Sequence, residues 1–257
     1  MTLPILQNTE SYVFKYPSVD ELTKQQLNIY WTADEIAVEK DTQDLRVTMT
    51  EAERHGVITT LKLFVKYELS VGEDYWLGRF RRIFKRPEFR KMAATFGMVE
   101  AAIHAPFYNK VNEVLLLNTD EFYTSYLDDP VLAARMEAIG HYATDEDDLV
   151  SLAAFSLIEG VTLYSSFSFL KHFQADGKNL LLNTVRGINF SVRDEHLHSI
   201  GGALAYRLLL NEKIQAGLID LKGLDELREK IKAVAFEIYH HECQIINKVF
   251  EKGEIRG

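Results

Sequence analysis

Glu195 and His198 stand three residues apart and follow Ile188 and Val192 on the same side of one amphipathic stretch. Glu100 follows Phe96 by four residues and precedes Ile103 by three, with His104 one turn on. Glu68 continues the apolar series Leu61, Phe64 and Val65, and Glu159 sits in the most apolar segment of the chain. All six occupy positions where an aliphatic side chain is expected. A buried carboxylate without a partner is costly, so each needs a proton or a cation. No matching set of inward Lys or Arg accompanies them. Taken singly these are weak signals: Glu-x-x-His arises by chance, and a lone helical Glu is ordinarily exposed or paired with a base.

The order is more informative than any one residue. A single Glu is followed on the next long helix by a Glu and a His one turn apart, and then the arrangement repeats. The intervals are similar, 32 residues from Glu68 to Glu100 and 36 from Glu159 to Glu195. Four facing helices would bring four carboxylates and two imidazoles together, the donor set of a ferritin-like dinuclear metal site between four core helices. Hard oxygen donors with two imidazoles suit iron or manganese. His196, His240 and His241 fall outside this order and read as structural or exposed.

The elements that must position these residues are all helical. Residues 1–18 look irregular, and a short helix follows from about Val19 to Trp31. Thr50-Glu51-Ala52-Glu53 is a capping box. It opens a long helix with Val57, Leu61, Phe64, Val65, Gly72 and Trp76 on its apolar side. Pro87 suits the first turn of the next helix, and Asp129-Pro130 opens a shorter one to about Tyr142. An apolar helix reaches about Phe173, and two more span roughly 178–211 and 223–252. With no strand pairs, repeats or linker, we expect one all-α domain over residues 1–257.

Composition agrees. The net charge of −9, from 29 basic and 38 acidic residues, argues against nucleic acid as a partner, since gripping phosphates needs clustered cations. The run Arg79, Arg81, Arg82, Lys85 and Arg86 is the exception, and it reads as a solvated helix end. The one cysteine, Cys243, excludes a disulfide framework and fits a reducing, cytoplasmic location. The N-terminus lacks a basic segment followed by an apolar one, so no signal peptide is expected. Leu149–Leu170 is long enough to cross a membrane, but Glu159 at its centre would cost about 2.5–3.5 kcal/mol there. A buried core helix, and no membrane, is the expectation.

On these residues the chain resembles the small, radical-generating subunit of class I ribonucleotide reductase. Arg193-Asp194-Glu195-His196-Leu197-His198 looks like that family's acidic and histidine motif. Trp31-Thr32-Ala33-Asp34-Glu35-Ile36 is similar to the segment around its tryptophan. Leu157-Ile158-Glu159, with Tyr164 and Phe167, resembles the helix of the third carboxylate. Tyr108 falls four residues after His104, where tyrosyl-radical members carry the radical. The resemblance implies that Glu68, Glu100 and His104 bind one metal and Glu159, Glu195 and His198 the other, with some carboxylates bridging. It implies Trp31 and Asp194 on a radical-transfer route. It further implies a homodimer that lends an oxidising hole to a large catalytic subunit reducing ribonucleotides. The cofactor expected is a dinuclear centre of iron, with manganese–iron or dimanganese as alternatives.

Three departures accompany this. The family has Glu-x-x-His on the second metal helix, whereas here Ala101 stands three before His104 and Glu100 four before. An i,i+4 pair shares a helix face. Pro106 lacks the amide that would bond the Ala102 carbonyl, so one extra residue in a π-bulge near Gly97–Pro106 would restore the register. Glu68 resembles the manganese–iron subgroup, whereas Tyr108 resembles the tyrosyl-radical members. The chain also stops soon after the Leu227–Val249 helix, in Lys252-Gly253-Glu254-Ile255-Arg256-Gly257, where small subunits continue into a further helix and a partner-docking tail. Rival readings are another dimetal oxidase or hydroxylase component, an iron store, and a helical module whose buried charges are merely paired.

Overall fold

The structure, a computed structural model, describes residues 3–175 and 177–253. Residues 254–257, most of the terminal segment considered above, lie outside them. Every regular element among the described residues is helical, as expected. Helix α1 spans Pro17–Asn28 and opens on its proline. Helix α2, Glu51–Leu69, begins at the expected capping box. Thr50 accepts from the Glu53 amide, and the Glu53 carboxylate returns the bond to the Thr50 amide. Such caps contribute about 1 kcal/mol. The chain then continues as a π-helix over Ser70–Phe80.

Helix α3 runs over Pro87–Val99, widens into a π-turn at Glu100–His104 and continues over Ala105–Val114. This is the irregularity that Pro106 and the Glu100/His104 spacing call for. Helix α4 is Pro130–Thr144, capped by Asp129. Helix α5 is Asp148–Val161, capped by Asp147. Helices α6, α7 and α8 are Tyr164–Lys171, Leu182–Gln215 and Leu221–Val249.

The apolar stretch is not one helix: it breaks at Thr162-Leu163 between α5 and α6. A buried ion pair lies at the break. Arg135 of α4 donates to the Thr162 carbonyl and pairs with Glu242 of α8 at 2.7 Å. Ser165 Oγ donates to the other Glu242 oxygen at 2.5 Å. The whole Asp148–Gln174 stretch is apolar enough to cross a membrane by composition, yet 67% of its most apolar window is buried within the protein.

Helices α2, α3, α5 and α7 enclose the core, with α7 packed most extensively on α5. Helix α8 covers α5, α2 and α4, while α1 lies across α3 and α7. Two glycines let the first pair approach closely. A Cβ at Gly72 would lie 3.1 Å from Glu100 Cβ and from the Gly97 carbonyl oxygen, and one at Gly97 would lie 3.2 Å from the Gly72 carbonyl oxygen. Backbone contact at this level is what brings Glu100 beside the π-helix.

Candidate metal centre

Each core helix delivers what the sequence order predicts. Glu68 comes from the last turn of α2, Glu100 and His104 from the π-turn of α3, Glu159 from α5, and Glu195 and His198 from α7. All six are at most 1% exposed. Their side chains fall into two overlapping groups. Ligand atoms of Glu68, Glu100, His104 and Glu195 lie within 4.8 Å of one another, and so do those of Glu100, Glu159, Glu195 and His198. Glu100 and Glu195 belong to both groups. Ala101 is not the inward residue; Glu100 is.

The interior of this cluster lacks protein partners. Neither carboxylate oxygen of Glu68, Glu100 or Glu195 has a hydrogen bond of good geometry, nor do His104 Nδ1 and His198 Nδ1. Instead they converge. His104 Nδ1 lies 2.9 Å from Glu100 Oε2, 3.2 Å from Glu195 Oε1 and 3.6 Å from Glu68 Oε2. His198 Nδ1 meets Glu100 Oε1 closely and lies 3.7 Å from Glu195 Oε2. Among the described residues no Lys or Arg pairs with any of the four carboxylates; their only ion-pair neighbours are these two imidazoles.

Protonation shows the same shortage of positive charge. Burial, then Glu100 and Glu195, push the Glu68 carboxyl well above its usual range; burial, then Glu195 and Glu100, do so for Glu159. Burial also opposes charge on Glu100, but the His198 and His104 imidazoles outweigh it and hold that carboxyl low. Burial likewise disfavours the imidazolium forms. The Glu100 carboxylate overrides it, raising His104 well above an ordinary histidine and His198 to about 9. Two divalent cations fit this donor set, and their binding would release those protons.

The outer contacts are asymmetric. His104 Nε2 lies 3.0 Å from Asp194 Oδ2, so an Nε2–H donates there and leaves Nδ1 to face the cluster. The same Oδ2 accepts from Trp31 Nε1 at 2.7 Å, while Asp194 Oδ1 accepts from Gln26 Nε2 at 2.9 Å. Trp31, Asp194 and His104 thus form one buried line. Tyr108 is fully buried, its ring centroid 6.5 Å from that of His104, with the buried Ser191 hydroxyl beside its own. Burial, then the Glu68 charge, keep that phenol protonated. His196 and His240 are exposed and His241 half-buried, all away from the centre.

Two functional contacts escape sequence reasoning. Gln26 lies on the buried face of α1 with Val19 and Leu22, and nothing in its spacing signals Asp194. Trp76, counted with the apolar side of the first long helix, donates its indole N–H to Glu159 Oε1 at 2.7 Å. The basic run is divided. Arg79 pairs with Asp148 at 2.8 Å and Arg86 with buried Glu88 at 3.0 Å, while Arg81, Arg82 and Lys85 are solvated as expected.

Comparison with known proteins adds the decisive observation. Residues 9–257 match the family model for ribonucleotide reductase, small chain. The chain belongs to the ribonucleotide reductase small-chain family. A protein of Invertebrate iridescent virus 3, named a probable ribonucleoside-diphosphate reductase small subunit, is 25% identical over 266 residues, covering 95% of this chain and 67% of its own. A ribonucleoside-diphosphate reductase small chain of Nicotiana tabacum is 26% identical over 215 residues, covering 81% of this chain and 64% of its own. This small-chain family member therefore spans about two thirds of the length of these relatives. The solved structure of a dimanganese(II) NrdF from Streptococcus sanguinis superposes with a TM-score of 0.83, over 96% of this chain and 84% of that one. At 18% identity that likeness establishes a shared small-chain fold.

Proposed function

We propose that this chain is the radical-generating subunit of a ribonucleoside-diphosphate reductase, working as a homodimer with a separate large catalytic subunit. The observation that carries the reading is the buried line from the cation-poor cluster through His104 and Asp194 to Trp31. An iron store or a purely structural core has no need of an oxidisable side chain tied to one metal ligand.

In this reading Glu68, Glu100 and His104 would hold one metal and Glu159, Glu195 and His198 the other, with Glu100 and Glu195 in reach of both. Iron or manganese suits the oxygen-rich set. Bound, the pair supplies one-electron oxidation driven by oxygen or a related oxidant. The rest is the protein's work. The helices exclude water and fix the donors. Asp194 Oδ2 is within hydrogen-bond reach of both the Trp31 indole N–H and His104 Nε2–H. An indole that loses an electron becomes a strong acid, so Oδ2 is positioned to take its proton while charge passes along the line. Tyr108, buried beside His104, is the candidate resting place for the radical.

The test is to load the metal-free protein with Fe(II) or Mn(II), admit oxygen, record the paramagnetic resonance spectrum and assay ribonucleotide reduction with a large subunit. We expect two metals per chain, a radical signal, and turnover only with the partner. Trp31→Phe keeps apolar bulk but removes the N–H and the easier oxidation. It should bind metal normally and lose most turnover. Reduction by this chain alone, or normal turnover in Trp31→Phe, would contradict the reading.

A further inference from the structure

The chain has two tryptophans, and both end on carboxylates at its centre. Trp31 Nε1 meets Asp194 and, through it, a ligand histidine. Trp76 Nε1 meets Glu159 directly at 2.7 Å, with both residues at most 1% exposed. The Trp76 indole is held in place on several sides. Its ring centroid lies 5.0 Å from Phe80, 5.0 Å from Phe96 in an edge-on contact, 4.9 Å from Tyr75 and 6.0 Å from His198.

Its aim depends on the π-helix. In a regular helix, eight residues at about 100° each would leave Trp76 roughly 80° round from Glu68, off the face of the cluster. The Ser70–Phe80 segment is π-helical instead, and its wider turns advance less per residue, which swings Trp76 back toward that face.

The two metal positions differ in how they are supported from outside. His104 has Asp194 on its outer nitrogen. His198 Nε2 has no partner, and its ring lies against Phe96 at 4.4 Å. The position that uses His198 therefore lacks the outer bond that ordinarily fixes a ligand imidazole. Trp76 gives that position another one, the single hydrogen bond that Glu159 receives from outside the cluster among the described residues.

We propose that Trp76 is a positioning residue for the Glu159–Glu195–His198 metal position, fixing the Glu159 carboxylate through its indole N–H. The inference rests on the metal-binding reading above. It assigns Trp76 to one of the two positions only, since its hydrogen bond goes to Glu159 and, among the described residues, its one ring contact with a candidate ligand is with His198.

The experiment titrates metal-free protein with Mn(II), following binding by calorimetry and the ions by paramagnetic resonance. Wild type binds two equivalents and gives the spectrum of a coupled pair. Trp76→Phe keeps one equivalent at wild-type affinity, while the other weakens by about 10- to 100-fold. At two equivalents it shows mainly isolated Mn(II). Trp76→Gln, which restores N–H donors on a side chain of similar reach, recovers the second equivalent. Two tight equivalents in Trp76→Phe overturn the inference. So does equal loss in the Phe and Gln variants, which would make Trp76 packing alone. Wild type that fails to bind two metals removes the metal reading itself, a separate outcome. If neither variant folds, ¹⁵N-indole resonances of wild type titrated with diamagnetic Zn(II) still decide. The Trp76 N–H, distinguished from Trp31 in a Trp31→Phe sample, must shift with one equivalent and not the other.

Discussion

Glu195 belongs to both ligand groups, so Glu195→Ala removes one of four donors from each metal position at once. Removing even an outer partner of a metal ligand typically weakens binding 10- to 100-fold, so about 100-fold per position is a floor for losing the ligand itself. At a metal concentration about 1,000 times the dissociation constant, each bound ion stabilises the fold by about 4.1 kcal/mol. A 100-fold weaker site leaves about 1.4 kcal/mol at the same concentration, so two positions together lose about 5 kcal/mol. For a chain of this size each kcal/mol moves the melting temperature by about 2 °C, so the metal-induced rise should shrink by about 10 °C. The metal-free protein should respond far less. There Glu195 adds repulsion against Glu68 and Glu159 but also faces the His104 and His198 imidazoles at 3.2 and 3.7 Å, and no Lys or Arg pairs with it. These effects oppose one another, so its removal should change the metal-free melting temperature by much less than it shrinks the metal-induced rise. Scanning calorimetry with and without Mn(II), together with metal analysis, reads both effects. Two tightly bound metals and an undiminished metal-induced rise in Glu195→Ala would refute the assignment.

Three further outcomes follow from particular contacts. Gly72→Ala places a Cβ 3.1 Å from Glu100 Cβ and the Gly97 carbonyl oxygen, neither of which is a flexible tip, so about 1–3 kcal/mol of stability and some metal affinity should be lost in calorimetry. Arg135→Met strands Glu242 and should cost about 3–5 kcal/mol in denaturant unfolding, whereas the double change Arg135→Met, Glu242→Met should recover much of it. Burial works against the Glu53 carboxylate, but bonds from Lys178 and Thr50 prevail and hold its pKa below the usual value. A lowered folded pKa contributes stability above the unfolded value of about 4.3 and loses it as pH falls through the folded one. The stability gap between wild type and Glu53→Gln, measured as melting temperature against pH, should therefore close across that acid window.

The six candidate ligands were legible because a charge inside an apolar stripe is conspicuous at helical spacing. The order Glu, then Glu with His, twice over, needed no knowledge of contacts. Even the Glu100–His104 π-turn could be anticipated, because Pro106 cannot supply the amide of a regular turn. Other features were hidden for physical reasons. The ion pair at the Thr162-Leu163 break joins Arg135 and Glu242, which come from two other helices and look like surface charges in a linear reading. The long π-helix over Ser70–Phe80 leaves no proline or charge pattern behind, so Trp76 read as one more apolar residue. Gln26 reaches Asp194 across 168 positions of sequence, a pairing that no periodicity encodes.

Two of the three π-helical segments among the described residues, Ser70–Phe80 and Glu100–His104, address one geometric difficulty. Four helices can each turn one face inward, but a dinuclear cluster needs six donors at nearly one level, with some carboxylates shared. A regular helix offers inward positions only at intervals of three or four residues. At Glu100–His104 the π-turn lets a carboxylate and an imidazole four residues apart converge, with His104 Nδ1 2.9 Å from Glu100 Oε2. At Ser70–Phe80 the wider turns bring Trp76 round to Glu159, although Glu68 already occupies the inward face two turns earlier. Both distortions meet where Gly72 and Gly97 let the two backbones touch. These two π-segments thus lie in the two helices that present more than one polar group to the centre. Helix α7 remains regular, because Glu195 and His198 at i,i+3 already share a face.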